Sequence, residues 1–361
     1  MDPNQASRRR IVSLDQFRGY TVAGMLFVNF LGGYQVVHAI FKHHNTYCSY
    51  ADTIMPQFFF AVGFAYRLTF VRRLAESGFW TAARAVLKRN AGLILLGFVI
   101  YHLDGEVKSW VQLRELGVLG FLAQAFHREL FQTLVHIAIT SVWVLPVIAA
   151  GTVPRVVFTI ASAGLHLWLS SLFYFAWAWQ PPRVIDGGPL GFLTWTIPTL
   201  IGSLAYDFVA SSRDHSHSVS KLAAWSVVLM VLGYALSCLG GRLAPPPFVP
   251  PLSSQAVDLW TMSQRTGSIS YLTFAAGFSL AVYALFVLIC DRAGWQSALF
   301  RIFGQNALAA YIIHPMVADA VKPYLPNDSP SWYVAAGFGL YFAICTLFNL
   351  HLEKNNLFLK L

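Results

Sequence analysis

The chain has 361 residues, of which 56% are hydrophobic and only 11% are charged, whereas about 25% of the residues in a soluble domain are charged. With a mean hydropathy of +0.55, this composition excludes an ordinary soluble domain. It predicts a polytopic α-helical membrane protein, because spanning helices satisfy their own backbone hydrogen bonds. The net charge of +9 does not indicate nucleic-acid binding, since the basic residues lie in the loops between apolar runs.

Apolar runs of the length that crosses a bilayer, about 17–25 residues, recur along the whole chain. Ten are found, near 19–40, 53–72, 87–103, 130–150, 155–179, 190–210, 222–241, 268–290, 299–320 and 331–350. They predict an all-α fold, a single polytopic transmembrane helix bundle over 1–361 with about ten spanning helices. The charged segment 109–127 is predicted to be interfacial or re-entrant, and the proline-rich run 245–251 to be a stiff extramembrane spacer.

The basic residues predict how this bundle is oriented. With ten spans, sixteen Arg and Lys residues lie on the side of the two termini and eight lie on the opposite side. This bias places both termini in the cytoplasm, and therefore the loop 38–52 on the extracytoplasmic side.

The first two spans carry the polar groups that are most unusual for a membrane protein. These groups are Asp15 and Arg18 at the start of the first run, Asn29 inside it, and His38, His43, His44 and Asp52 before the second. Charges at the edge of the hydrocarbon persist mainly when they are paired or face a polar cavity. We therefore place the candidate site here.

The adjacent histidines favour proton or acyl transfer over metal binding. On a helix His43 and His44 would point about 100° apart, so they are not an i, i+4 metal pair. A single imidazole oriented by a carboxylate such as Asp52 would act as a base or nucleophile toward an acyl group. Two solvated loop histidines are the alternative, and no metal motif is found in the sequence.

The charged residues on the cytoplasmic side have structural and functional interpretations. Asp15 and Arg18 form an i, i+3 pair that favours a clamp at the helix start, and they are also candidates for positioning a charged donor. The basic run from Arg67 to Arg89 is typical of a membrane anchor, and it is also suited to the phosphates of a nucleotide-like donor.

In the ninth span, Asn306 and His314 lie eight residues apart and close to one helix face. We expect both to face the bundle interior rather than lipid. A hydrogen-bonded pair between helices is the structural alternative.

Several motifs resemble those of the heparan-alpha-glucosaminide N-acetyltransferase family and its bacterial relatives, which are transmembrane acyltransferases. That family opens with S-[LV]-D-x-[FL]-R-G and then V-N, and this chain has SLDQFRG at 13–19 and VN at 28–29. The family next shows a histidine, then an aspartate before P-x-F-x-F, matched by His43, Asp52 and PQFFF at 56–60. Later blocks, DGGPLG at 186–191 and GQN to His314 at 304–314, also agree.

The resemblance implies transfer of an acetyl group from cytoplasmic acetyl-CoA to an amine or hydroxyl of an extracytoplasmic sugar or glycan. It implies a multi-pass protein of a bacterial cytoplasmic membrane, in which His43 is catalytic. His44 and His38 stay open as alternatives, because the spacing to the aspartate is one residue shorter than in the family and its W-x-G is replaced by NTY at 45–47.

The other candidate residues take supporting roles in this hypothesis. Asp52 would orient and stabilise the imidazolium, while Asn29, Asn306 and His314 would line a buried passage and polarise the thioester carbonyl. We expect acetyl-CoA as the co-substrate and no metal, and the sequence leaves a homodimer open. A secondary transporter or exporter of a sugar-linked solute is the rival function.

Overall fold

The computed structural model describes residues 11–102, 107–125, 130–181, 183–211, 215–241, 243–251 and 256–359. These residues form helices and no strands. Seven of the basic residues used to predict the orientation lie outside the described residues: Arg8, Arg9, Arg10, Arg128, Arg213, Arg242 and Lys360.

The helices, in chain order, are α1 Val12–Leu31, α2 Tyr50–Ser77, α3 Phe79–His102, α4 Trp110–Ala125, α5 Thr133–Trp143, α6 Thr152–Trp179, α7 Phe192–Ser211, α8 His215–Ser237, α9 Ile269–Arg292, α10 Ala298–Gln305, α11 Ala307–Val321 and α12 Ser331–Lys354. Within the described residues, five of them (α2, α6, α8, α9 and α12) are long and apolar enough to cross a membrane. The chain is therefore a helical bundle with the character of a multi-pass membrane protein.

The first helix differs from the prediction for 19–40, because it begins at Val12 and ends at Leu31. Asp15 and Arg18 consequently lie in its first two turns. The apolar residues after Gly32 and Gly33 form a loop rather than more helix. These loop residues are apolar because they pack against the bundle. The Tyr34 ring, for example, is buried beside Phe30, with 5.9 Å between the ring centroids.

Two other segments also depart from their predictions. The predicted ninth span is broken at Asn306, whose backbone angles (φ −120°, ψ 40°) separate α10 from α11. Asn306 and His314 therefore do not share one continuous helix face. The run 245–251 is not a free spacer, because the Phe248 N–H donates to the Cys48 carbonyl (2.8 Å) and its ring packs on Phe274.

The segment 109–127 contains α4, which is broken at Gly117 (φ 59°). Its apolar side chains, including Trp110, Val118 and Leu119, are largely exposed to the surroundings of the bundle. Its placement at a membrane interface stays a prediction.

Glycines allow the helices around the candidate site to pack closely. A side chain at Gly63 of α2 would collide with the Thr199 carbonyl of α7, and one at Gly202 of α7 would collide with the Phe60 carbonyl of α2. Gly19 of α1 meets the backbone of α10 in the same way. Small residues at such crossings bring backbones together, as is common between membrane helices.

A buried ion network joins α2, α6 and α7 nearly five turns from the N-terminus of α2. Arg155, which is fully buried, donates to the Ser203 hydroxyl (2.9 Å) and to the Asp207 carboxylate. Arg67 donates to Asp207 (3.1 Å) and to the Ile148 carbonyl (2.7 Å). The two guanidinium groups therefore share one counter-ion, Asp207, and the Ser203 hydroxyl and the Ile148 carbonyl supply further hydrogen-bond partners.

Candidate functional site

A cavity of about 350 Å³ opens at the end of the bundle where α2 begins. Most of its apolar lining comes from α1 and α2, and most of its polar lining comes from three loops and the start of α5. The lining residues are Met25, Val28, Asn29, His43, His44, Asn45, Ile54, Met55, Phe58, Gln132, Thr133, Val184, Ile185, Asp186, Gln264, Arg265 and Tyr311.

His43 and Asp52 form a hydrogen-bonded ion pair in the cavity wall, with 3.0 Å between His43 Nδ1 and Asp52 Oδ1. The Asp52 side chain is only 1% exposed, whereas 46% of the His43 side chain is exposed, and His43 lines the cavity. With Nδ1 donating to the carboxylate, Nε2 is the nitrogen left for proton exchange with a ligand.

The carboxylate of Asp52 is fixed by the start of α2. Ser49 caps this helix, and its N–H donates to Asp52 Oδ2 (3.0 Å) while Asp52 N–H donates back to Ser49 Oγ (3.2 Å). This reciprocal capping box appears in the sequence as Ser49-x-x-Asp52. The backbone N–H of His44 also lies 3.3 Å from both carboxylate oxygens.

Two opposing effects act on the His43 imidazole. Burial by the surrounding loops would lower its pKa, but the hydrogen bond and charge of Asp52 and the charge of Asp186 outweigh burial and raise the pKa above its ordinary value. The ring is therefore prepared to hold a proton.

The other two histidines are occupied by the loop itself. His44 Nε2–H donates to the Ala39 carbonyl (2.9 Å), and its ring lies on Tyr47 with 4.6 Å between centroids. His38 Nδ1 accepts from the Ile40 N–H (3.2 Å) and does not line the cavity. Of the three candidates, only His43 has its ring paired with a carboxylate.

A second carboxylate, Asp186, faces the same cavity from the loop between α6 and α7. It is 6% exposed, and Gln264 Nε2 donates to its Oδ1 (2.6 Å). Burial raises the pKa of the Asp186 carboxyl to about 6, against the lowering effects of the Gln264 hydrogen bond and the His43 charge.

The outer rim is built by the loop before α9. Asn45 Oδ1 accepts from the Arg265 backbone N–H (3.0 Å), which ties this loop to the histidine loop. The Arg265 guanidinium lies 4.6 Å from the centroid of the Trp179 ring, in a cation–π contact. The rim is thus held in place by contacts between distant parts of the chain.

The remaining predicted site residues lie at different depths. Asn29 lines the cavity, and its Nδ2 donates to His314 Nε2 (3.3 Å), while His314 Nδ1–H donates to the Tyr311 carbonyl (2.7 Å). Asn306 is 1% exposed and lies outside the cavity lining; neither side-chain polar atom of Asn306 has a partner among the described residues.

Asp15 and Arg18 are also outside the cavity, at the other end of α1. Their charged atoms are 4.0 Å apart. The described residues hold no group of three or more His, Cys, Asp or Glu side chains arranged for a metal ion.

Comparison of the chain with protein-family models and with curated proteins finds no match.

Four residues that line the cavity had no predicted role: Asp186, Gln264, Asn45 and Arg265. The loop of Asp186 was visible as the DGGPLG block, where a carboxylate among glycines is a usable signal. Gln264 has no comparable local signal, because its position at the cavity depends on how α8 and α9 pack.

Proposed function

We propose that this protein is an integral membrane acyltransferase that moves an acetyl group from cytoplasmic acetyl-CoA to an amine or hydroxyl of a sugar or glycan across the membrane. The observation that carries the proposal is the 3.0 Å contact between His43 Nδ1 and the buried Asp52 carboxylate in the wall of a cavity. The resemblance to the heparan-alpha-glucosaminide N-acetyltransferase family supports it, and the proposal includes ten spans, cytoplasmic termini and a bacterial cytoplasmic membrane.

In the proposed reaction, His43 Nε2 accepts the proton of the attacking amine or hydroxyl. A bond forms between that nitrogen or oxygen and the acetyl carbonyl carbon, and the carbon–sulfur bond of the thioester breaks. The imidazolium then returns its proton to the CoA thiolate, so the histidine ends neutral. Asp52 stabilises the imidazolium and holds the ring in one orientation. A transient acyl group on Nε2 would use the same two residues.

Asn29 is suited to stabilising the oxyanion that develops on the thioester carbonyl. Its amide nitrogen carries two hydrogens, and only one is donated to His314. The other is available to the cavity that Asn29 lines. A donor held in position by a second hydrogen bond is the arrangement that stabilises developing negative charge.

The donor would approach along α1 from the cytoplasmic end. Arg18 precedes Met25 by seven residues and Asn29 by eleven, so at about 100° per residue all three lie within about 20° of one helix face. Arg18 is then about 16 Å below Asn29. The charges of Arg18 and Arg73 both act on Arg89, so cations from α1, α2 and α3 converge there. The phosphates of CoA would bind these cations, and the pantetheine arm would reach the apolar lining of the cavity.

The proposal is tested with the purified protein in detergent. Millimolar acetyl-CoA should raise its melting temperature, because a ligand that binds only the folded state stabilises it. Radiolabelled acetyl-CoA should lose its label to a sugar or to water, and His43→Ala should slow this by about 10²–10⁴-fold while keeping the melting shift. His44→Ala is the matched control and should remain active. A folded protein with neither a melting shift nor thioester cleavage would refute the assignment.

One observation favours the rival function, a secondary transporter. The break at Asn306, a buried amide without a partner among the described residues, is similar to the discontinuous helices that bind solutes in transporters. Proteoliposomes that accumulate a labelled sugar without consuming acetyl-CoA would support that alternative.

A further inference from the structure

The loop that carries Asp186 is held in an unusual conformation. Asp186 has a φ of 55° and is followed by Gly187 (φ 88°) and Gly188 (φ 57°), so three consecutive residues are left-handed. A non-glycine residue keeps such a φ only where the surroundings enforce it, and such positions cluster at functional sites.

The surroundings of this loop do enforce that conformation. Trp195 Nε1–H donates to the Asp186 carbonyl (2.7 Å), and Tyr174 O–H donates to the Gly187 carbonyl (2.5 Å). The Gly187 N–H donates to the Arg265 carbonyl (3.1 Å), which joins this loop to the loop of Gln264. The Asp186 carboxylate is therefore directed at the cavity by backbone contacts on both sides.

Gln264 and Asp186 leave two hydrogen-bond acceptors unused. Because Gln264 Nε2 donates to Asp186 Oδ1, the amide orientation is set and its Oε1 points the other way. That Oε1 is buried and has no donor among the described residues. None of the described residues donates to Asp186 Oδ2 either. A buried acceptor without a donor is costly, so this pair is complementary to a ligand that supplies N–H or O–H groups.

Other charged or titratable groups lie near this pair on the neighbouring elements. Asp186 interacts electrostatically with His43, Asp52, Tyr101 of α3, Tyr271 of α9 and Tyr311 of α11, and Arg265 lines the cavity at its rim. His136 of α5 lies beside Gly191, at the end of the loop that carries Asp186. Gln264 also contributes to the raised pKa of His43, and both side chains line the same cavity. A donor bound to Gln264 is therefore beside the proposed base.

We propose that Asp186 and Gln264 form the subsite that binds the acceptor through its hydrogen-bond donors and places the reacting hydroxyl or amine beside His43. This inference rests on the proposed function. It predicts that the subsite takes polyhydroxylated or amine-bearing acceptors and does not take an anionic group at this point, since carboxylates and phosphates offer only acceptors.

The test uses D-glucosamine and D-glucose as probes, with Asp186→Asn and Gln264→Leu as variants. Asparagine tolerates the left-handed backbone, so Asp186→Asn keeps the loop. Each variant should raise the KM for the probe by about ten-fold while keeping the acetyl-CoA melting shift. Gln35→Leu, the same amide-to-leucine change at an exposed position outside the cavity lining, is the matched control and should leave the KM unchanged. A larger loss for glucosamine than for glucose in Asp186→Asn would support the subsite and show that it binds the amino group of the acceptor.

A pH profile separates positioning from a purely structural role. The anion of Asp186 raises the pKa of His43, so its removal should move the acidic limb of kcat/KM to lower pH. KM values that stay unchanged in both variants would overturn the proposal. So would a fall in kcat that comes with a lowered melting temperature but no shift of the acidic limb. Stabilisation of the protein by glucosamine alone, weakened in both variants, is measured without acetyl-CoA. This stabilisation would support the subsite even if acetyl-CoA were not the donor. If the wild-type protein binds acetyl-CoA but is not stabilised by glucosamine, the subsite alone is overturned.

Discussion

At the scale of single residues, two carboxylates share the neighbourhood of one imidazole but have different environments. Asp52 receives hydrogen bonds from the loop and helix start around it, whereas Asp186 is buried with a donor on one oxygen. Two carboxylates in such different environments commonly have different roles in a site. Asp52 is suited to orienting His43, and Asp186 to meeting the ligand.

Asp52→Asn tests the first of these roles. The Asp52 charge and hydrogen bond raise the pKa of His43, so their loss should lower that pKa. The imidazole would then become a neutral base at lower pH, and the acidic limb of the rate profile should move down. Turnover should fall by about 10²–10⁴-fold, because the imidazolium loses its counter-charge.

Ser49→Ala is the control for this change. It removes the helix cap, which typically costs about 1 kcal/mol, and the Ser49 hydroxyl that donates to Asp52 Oδ2 (2.9 Å), but it keeps the carboxylate charge beside His43. Its melting temperature should fall, while the acidic limb should move less than in Asp52→Asn. An Asp52→Asn profile that coincides with the wild type would show that the carboxylate does not act on the His43 ring.

At the scale of elements, the cavity depends on how closely α2 and α7 approach. α2 carries Asp52 at its start, and the loop that leads into α7 carries Asp186. The backbones of the two helices touch at Gly63 and Gly202, where no side chain fits. The spacing between these helices therefore helps to set the positions of both carboxylates.

Gly63→Ala should force α2 and α7 apart. Overpacking a close contact typically costs about 1–3 kcal/mol, and the melting temperature in detergent should fall accordingly. Gly164→Ala is the matched control, because Gly164 lies on an exposed face of α6 with nothing near the added methyl group. That control should leave the melting temperature unchanged or raise it slightly, since alanine favours helix. Equal melting temperatures for Gly63→Ala and the wild type would contradict the packing argument.

At the scale of the whole molecule, the polar groups form layers at two depths. Fifteen residues of α2 separate Asp52 from Arg67, which at about 1.5 Å per residue is about 22 Å. The candidate cavity lies at one depth and the Arg67–Asp207–Arg155 network at the other. Mostly apolar helix surface lies between them, as a bilayer-spanning bundle requires.

The orientation can be tested with introduced cysteines at exposed positions. The two positions are Val36, in the loop before α2, and Glu76, at the end of α2. Each is replaced by cysteine in a protein whose four native cysteines have been replaced: Cys48, Cys238, Cys290 and Cys345. Cys48 itself is fully buried and would not report. An impermeant maleimide should label position 36 only from outside intact cells and position 76 only after lysis. The reverse pattern would place the proposed acceptor site in the cytosol.

Local sequence patterns identified some of these features because the interactions involved are local. The membrane class followed from apolar runs, since a segment in lipid must close its own backbone hydrogen bonds. The His43–Asp52 pair joins residues nine apart, and the capping box of Ser49 and Asp52 is a short motif. The predicted end of the first helix was wrong, because the apolar run continues past Leu31 into a loop. Tyr34 in that loop is buried against the bundle and does not cross the membrane.

Only the tertiary structure decided which distant residues meet. Asp186 and Gln264 are 78 positions apart, yet their side chains are 2.6 Å apart because the loops that carry them close over the same end of the bundle. The break at Asn306 contradicted the assumption of one continuous helix face, on which the pairing of Asn306 with His314 had depended. Composition and periodicity determine that a segment is helical and apolar, but contacts between loops depend on how the helices pack against one another, and no local pattern encodes that packing.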